Sequence, residues 1–103
     1  MKSVTQITAC LNLQFLDLSE NQITASREIV KLFRLQKLQE FYYAKNQCKF
    51  EVETRGIAWP ILEVADLTGN LISSMSEVKT ILSFMRPEVV RVLAVKDNPI
   101  LNF

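Results

Sequence analysis

The apolar positions of the chain fall into one pattern that returns four times. Its clearest copy is Leu13-Gln14-Phe15-Leu16-Asp17-Leu18-Ser19-Glu20-Asn21-Gln22-Ile23, with Leu13, Leu16, Leu18 and Ile23 as apolar anchors and Asn21 at a fixed offset among them. Leu38, Phe41, Tyr43, Asn46 and Cys48 fill the same places, as do Leu62, Ala65, Leu67, Asn70 and Ile72, and then Val90, Leu93, Val95, Asn98 and Ile100. The steps from one Asn to the next are 25, 24 and 28 residues. Within each copy the alternation predicts a short strand that buries every second side chain. A unit of this length cannot bury its apolar face alone, so four in register predict stacked units with their strands side by side. The four Asn residues would then form a ladder. Each carboxamide supplies both a donor and an acceptor to backbone groups left unpaired at the bend that follows the strand.

The segments between the strands predict the opposite layer. After Ile23, Ser26 is placed to cap a helix, Glu28 lies in its first turn, and Ile29, Val30 and Phe33 make its apolar face, with Arg27, Lys31 and Arg34 outside. The stretch from Lys49 to Ala58 lacks a helical period and contains Gly56, which predicts an irregular return before Trp59-Pro60. Ser74 followed by Glu77 matches a capping box, and Val78, Ile81, Leu82 and Met85 follow at helical spacing until Pro87. Val4, Ile7 and Leu11 share one helical face and would cover the first layer, so residues 1–12 read as a partial unit or minimal cap. The units then run over about 13–37, 38–61, 62–89 and 90–103, all in one domain. Nothing in the sequence after Ile100 would cover the last layer, which predicts a missing C-terminal cap and an end able to self-associate.

The register assigns the side chains that face away from the core to three columns. Phe15, Glu40, Val64 and Val92 form the first, Asp17, Tyr42, Asp66 and Ala94 the second, and Ser19, Ala44, Thr68 and Lys96 the third. Phe15, Asp17, Glu40, Tyr42, Val64, Asp66, Val92 and Lys96 are the candidate partner-binding residues, because an aromatic, aliphatic and acidic mixture suits a protein surface.

Composition narrows the chemistry. With 12 basic and 11 acidic residues the net charge is +1, which weighs against a general polyanion-binding surface. There is no His, and the only glycines are Gly56 and Gly69, so the usual general base, metal ligand and phosphate loop are all lacking. Asp17 and Asp66 could be imagined as an acid–base pair, but they are assigned to an open surface. The reading is therefore a non-enzyme without cofactor or metal, whose partner is a protein. Cys10 and Cys48 are too few for a disulfide framework and read as reduced thiols, Cys48 in the interior. Met1–Ala9 is polar, with no secretory pattern, and no apolar run reaches the roughly 20 residues of a membrane span, which places the protein in cytosol or nucleus.

The four windows resemble intracellular leucine-rich repeats of the short, helix-backed type, the group that includes phosphatase regulatory and spliceosomal A-prime proteins. That resemblance implies an α/β right-handed solenoid, with a short parallel sheet on the concave face and helices or irregular returns on the convex face. Three stretches resemble a narrower family. They are Trp59-Pro60-Ile61-Leu62-Glu63-Val64-Ala65-Asp66-Leu67-Thr68-Gly69-Asn70, Ser76-Glu77-Val78-Lys79-Thr80-Ile81-Leu82-Ser83-Phe84-Met85, and Arg91-Val92-Leu93-Ala94-Val95-Lys96-Asp97-Asn98-Pro99-Ile100. Their succession is similar to the leucine-rich-repeat dynein axonemal assembly factors. The likeness covers about the last 45 residues. It implies a cytoplasmic scaffold for preassembling the dynein arms of cilia or flagella, with no catalytic residue to carry over. Family members continue past the Asn-Pro with a proline- and tyrosine-bearing cap that this sequence lacks. Nuclear RNA–protein assembly and a phosphatase-regulatory adaptor are the alternative settings.

Overall fold

The computed structural model describes residues 3–51 and 58–101. Four short strands form one parallel sheet in chain order: β1 (Phe15–Asp17), β2 (Glu40–Tyr42), β3 (Val64–Asp66) and β4 (Val92–Ala94). The register pairs Phe15 with Glu40, Val64 and Val92 along one row, and Asp17 with Tyr42, Asp66 and Ala94 along another. The same backbone bonds recur from unit to unit beyond the strands. Leu18 N–H donates to the Tyr42 carbonyl, Tyr43 N–H to that of Asp66, and Leu67 N–H to that of Ala94, at 2.7, 2.8 and 2.8 Å. Parallel neighbours require a crossover on one side of the sheet, and the returning segments supply it.

Each unit bends at the same place. The residue before each ladder Asn has a positive φ: Glu20 at 59°, Lys45 at 58°, Gly69 at 71° and Asp97 at 58°. Only at Gly69 does the chain place the residue type that adopts this backbone without steric cost. The Asn that follows satisfies the bend. Asn46 Nδ2 donates to the Leu18 carbonyl of the unit before it, Asn70 Nδ2 to that of Tyr43, and Asn98 Nδ2 to that of Leu67, at 3.0, 2.9 and 3.0 Å. In return Asn46 Oδ1 accepts from Ile23 N–H, Asn70 Oδ1 from Asn46 and Cys48 N–H, and Asn98 Oδ1 from Ile72 N–H. These three side chains are buried. Asn21, at the start of the stack, is half-buried, and its amide donates to Leu18 and Ser19 of its own unit.

The inward strand residues Leu16, Phe41 and Ala65 are buried in one core with the returns. Ala65 is small, and the larger Phe41 lies directly beside it in the register. Trp59 joins the layers: it packs against Phe33, Phe41 and Phe84, and its Nε1 donates to the Leu32 carbonyl at 3.0 Å. Tyr43, also wholly buried, donates its hydroxyl to the Ile23 carbonyl, the partner its burial requires.

The returns differ from the sequence expectation in several places. Helix α1 (Arg27–Lys31) is a little over one turn and passes into a 3-10 turn at Leu32–Arg34. Tightening from 3.6 to 3 residues per turn rotates the apolar face. Leu32 and Leu35 are therefore buried, Phe33 is half-buried, and Val30, expected inside, is exposed. Ser26 does not cap α1. Its backbone is already helical and its Oγ accepts from Glu51 N–H at 3.2 Å in the next unit.

Helix α2 (Met75–Leu82) has the expected Ser74 N-cap, with Glu77 N–H donating to Ser74 Oγ, but Glu77 Oε1 accepts from the Ser74 hydroxyl and the Ser73 N–H instead of completing the box at the Ser74 N–H. On α2 Ile81 is buried, Val78 half-buried and Leu82, expected inside, exposed; Phe84 and Met85, just past its end, are buried. The Lys49–Glu51 segment is extended, with a bridge between Ala25 and Lys49, and Phe50 is buried. Residues 52–57 of that return, with Gly56, lie outside the described residues, and Ala58 is buried. At the N-terminal end Val4 is buried, Ile7 is half-buried in a 3-10 turn, and Leu11, expected to help cover the first layer, is exposed.

Candidate functional site

Because the inward side chains of the strands meet the returns, the other face of the sheet has no covering layer among the described residues. The strand pleat puts alternate residues there, and the register fixes their neighbours at roughly the 4.8 Å spacing of paired strands. The three expected columns are formed as the sequence pattern implies. In the first, Phe15 and Val92 are exposed and Glu40 and Val64 half-buried; in the second, Asp17 is exposed and Tyr42, Asp66 and Ala94 are half-buried. The third continues past the strands, where Glu20 N–H donates to the Ala44 carbonyl, Lys45 N–H to that of Thr68, and Gly69 N–H to that of Lys96.

At the β1–β2 end the face carries an aromatic pair. The rings of Phe15 and Tyr42 lie 5.2 Å apart at 42°, a tilted contact, although the two residues sit in different columns. Tyr42 leans toward the first column because its hydroxyl donates to Glu40 Oε1 at 2.6 Å. This bond raises the phenol pKa above its ordinary value, with desolvation and the charges of Glu40, Asp66 and Asp17 acting in the same direction. Asp17 and Asp66 are held alike: Oδ1 of each accepts the N–H two residues on, from Ser19 at 2.9 Å and Thr68 at 3.0 Å. These Asx-type turns fix both carboxylates beside Tyr42 without consuming their charge.

The charge on this face is not offset locally. Elsewhere Glu20 pairs with Lys45, Glu28 with Lys31, Glu63 with Arg91, and Glu88 with Arg86. Among the described residues, Asp17, Glu40 and Asp66 make no ion pair, and Lys96, the one base in the columns, lies at the far end on the β4 side.

The sequence-predicted residues therefore divide. Phe15, Asp17, Glu40, Tyr42 and Asp66 come together as one cluster, while Val64 and Val92 extend its apolar column and Lys96 stands apart. The Phe15–Tyr42 contact and the Tyr42–Glu40 bond were missed from sequence, since both join different places along the strands. The sequence signal that could have exposed the bond is the Glu40-x-Tyr42 spacing, which puts both side chains on one face.

A cleft of about 730 Å³ lies instead at the bends, among Glu20, Asn21, Arg27, Glu28, Lys45 and Gln47. Its charged walls are largely matched by the Glu20–Lys45 and Glu28–Lys31 pairs. Among the described residues no three His, Cys, Asp or Glu side chains are grouped to hold a metal ion, and no helix is long and apolar enough to cross a membrane. Of the thiols, Cys10 is exposed and Cys48 buried, where desolvation pushes its pKa up to about 11.

No family model, curated protein or solved structure matches the chain.

Proposed function

We propose that the chain is a leucine-rich-repeat scaffold, and that it recognises a protein through the uncovered face of its sheet. The repeat reading is supported by equivalent strands in chain order, a bend residue of positive φ before each of four Asn residues, and carboxamides that bond from unit to unit. The single observation that carries the functional reading is the Phe15–Tyr42 pair, with Phe15 55% exposed on a surface the core does not need. Large apolar and aromatic groups held rigidly outside the core are the usual anchors of protein recognition. The setting is cytoplasmic assembly of ciliary or flagellar dynein arms, a reading that rests on the resemblance of the last two units alone.

The test is capture of partners by the intact protein against Phe15→Ala, Tyr42→Ala and Asp66→Ala, with circular dichroism to show that each variant is folded. A protein species retained by the wild type and lost from Phe15→Ala and Tyr42→Ala supports the reading. Recovery of RNA whose binding weakens with salt would replace it with an RNA-binding one, and partners indifferent to all three changes would refute it.

A further inference from the structure

Resting on the reading of this face as a protein-recognition surface, we propose that its occupant is an extended, basic protein segment, with an arginine beside Tyr42 between Asp17 and Asp66 and an aliphatic side chain against Phe15. Three observations define that chemistry. First, the second column brings Asp17 and Asp66 to either side of Tyr42, and Glu40 is bonded to the Tyr42 hydroxyl, so three carboxylates surround one ring. Second, these three carboxylates have no cationic partner among the described residues and are neighbours on one face, whereas Glu20, Glu28, Glu63 and Glu88 each have one. The face therefore carries a local excess of negative charge that a +1 chain does not balance there. Third, each Asp is fixed by a bond to a backbone N–H, and Glu40 by the Tyr42 hydroxyl, so the carboxylates are oriented before any ligand arrives.

A guanidinium matches this arrangement better than an ammonium. Its planar fork offers donors in several directions to separate carboxylates, and it stacks on an aromatic ring. The first column supplies the second half of the preference. Glu40 interrupts this column, but Phe15 on β1 and Val92 on β4 are exposed and Val64 on β3 is half-buried, so on β1 and β3 an apolar side chain stands two residues from Asp17 and Asp66. The columns are two residues apart along each strand, roughly 6.6 Å, which is also the separation of same-side residues in an extended peptide. A segment lying along the strands would thus set Arg and Leu, spaced by one residue, over the acidic and apolar columns. Phosphate-bearing chains are disfavoured by the same three carboxylates.

The probe is an acetylated, amidated peptide of Leu-Ser-Arg-Ser repeated three times, with matched peptides carrying Gln or Glu in place of Arg, and an oligouridylate of similar length. Each is titrated into the full chain while backbone amide shifts are recorded. The expected result is binding of the Arg peptide alone, with shifts concentrated in residues 15–19, 40–44 and 64–68. Its affinity should fall at least tenfold, roughly a 1.4 kcal/mol equivalent, in Asp17→Asn/Glu40→Gln/Asp66→Asn. That variant keeps each oxygen acceptor, so the turns and the Tyr42 bond survive while the charge goes.

An Arg peptide that binds no better than its Gln counterpart, that binds more weakly than about 1 mM, or that shifts another surface would overturn the inference, as would tighter binding of the oligouridylate. The two levels separate cleanly. If the neutralised triple variant still captures the protein lost from Phe15→Ala and Tyr42→Ala, the cationic occupant is wrong and the recognition face stands. If none of the variants changes capture, both fall.

Discussion

The middle of the stack and its last unit are built from the same kinds of residue, yet they are not equally buried. Phe41 and Ala65 on β2 and β3 are 1% exposed, whereas Leu93, their equal in the register on β4, is only half-buried. Val95 and Ile100 are half-buried where Tyr43, Leu67, Cys48 and Ile72 are buried. Apolar burial therefore falls off at β4, although Asn98 beyond it is as fully buried as Asn46. The opposite end shows what covering achieves. Val4 lies over the first layer, its N–H donates to Glu28 Oε1 at 3.1 Å, and Leu16 and Leu18 are buried although β1 has only one strand neighbour.

The largest expected effect tests this contrast directly. Trp59→Ala removes a buried ring packed against Phe33, Phe41 and Phe84 and leaves the Leu32 carbonyl without its indole donor. It should cost about 4 kcal/mol or more, while Leu93→Ala, at the half-covered edge, should cost about 1–2 kcal/mol. Equilibrium denaturation of both variants gives the comparison. Equal losses would mean that the last unit is as tightly packed as the middle, and the asymmetry between them would disappear.

The ladder provides a second contrast within one residue type. Asn70 donates to Tyr43 and Leu67 carbonyls and accepts from Asn46 and Cys48 N–H, all at 2.9–3.2 Å and all buried. Asn70→Ala leaves the Asn46 and Cys48 N–H groups without their acceptor between two units, while the Tyr43 and Leu67 carbonyls keep the Asn46 and Asn98 amides. The expected loss is about 3 kcal/mol. A loss under about 1 kcal/mol would show that the bends hold themselves.

Alkaline pH should weaken the middle of the stack. Burial raises the Cys48 thiol from 9.0 to about 11, and it raises the Tyr43 phenol well above its ordinary value, again mainly through desolvation. In both cases the folded state holds its proton more tightly than the unfolded chain. Stability is therefore complete below the ordinary thiol value and declines as pH rises from about 9 toward 11. Tyr43 prolongs the decline. For Cys48 the loss is on the order of 1–2 kcal/mol after allowing for local opening. Denaturation midpoints across this range check it, and Cys48→Ala should flatten the first part of the fall. A profile unaltered by Cys48→Ala would remove the thiol from the account.

The same residues show how much of this molecule its sequence discloses. The strand register, the three columns and the Asn positions follow from period and offset, because a period-two strand leaves only two faces to choose between. The returns were harder to read. Val30, Leu32 and Phe33 depend on where α1 tightens, and no single residue marks that point. Phe50 did have a signal: Cys48 and Phe50 alternate with exposed Lys49 and Glu51, a strand period in a return read as irregular. Ser26 shows a further limit. It occupies a place where serine usually caps, but the next unit presents Glu51 N–H to the same hydroxyl. Within the site, the columns were legible and the cluster was not, because the lean of Tyr42 toward Glu40 and Phe15 is set by side-chain bonding rather than by strand period.

Asn21 provides the smallest and most discriminating test of the opening contrast. It has the ladder offset and follows a bend residue of positive φ like the others, but it is half-buried where Asn46, Asn70 and Asn98 are buried. Its amide donates to the Leu18 and Ser19 carbonyls at 2.9 and 3.3 Å, and Leu18 also accepts from Asn46 at 3.0 Å. In Asn21→Ala, Leu18 thus keeps one donor, and water can reach this half-buried position. The cost should be about 0.5–1 kcal/mol, near that of an ordinary solvent-accessible hydrogen bond. Measured beside Asn70→Ala, it separates residue identity from position in the stack. If Asn21→Ala proved as damaging as Asn70→Ala, the bend itself would need the carboxamide in every unit, and burial by neighbours would not be what gives the ladder its strength.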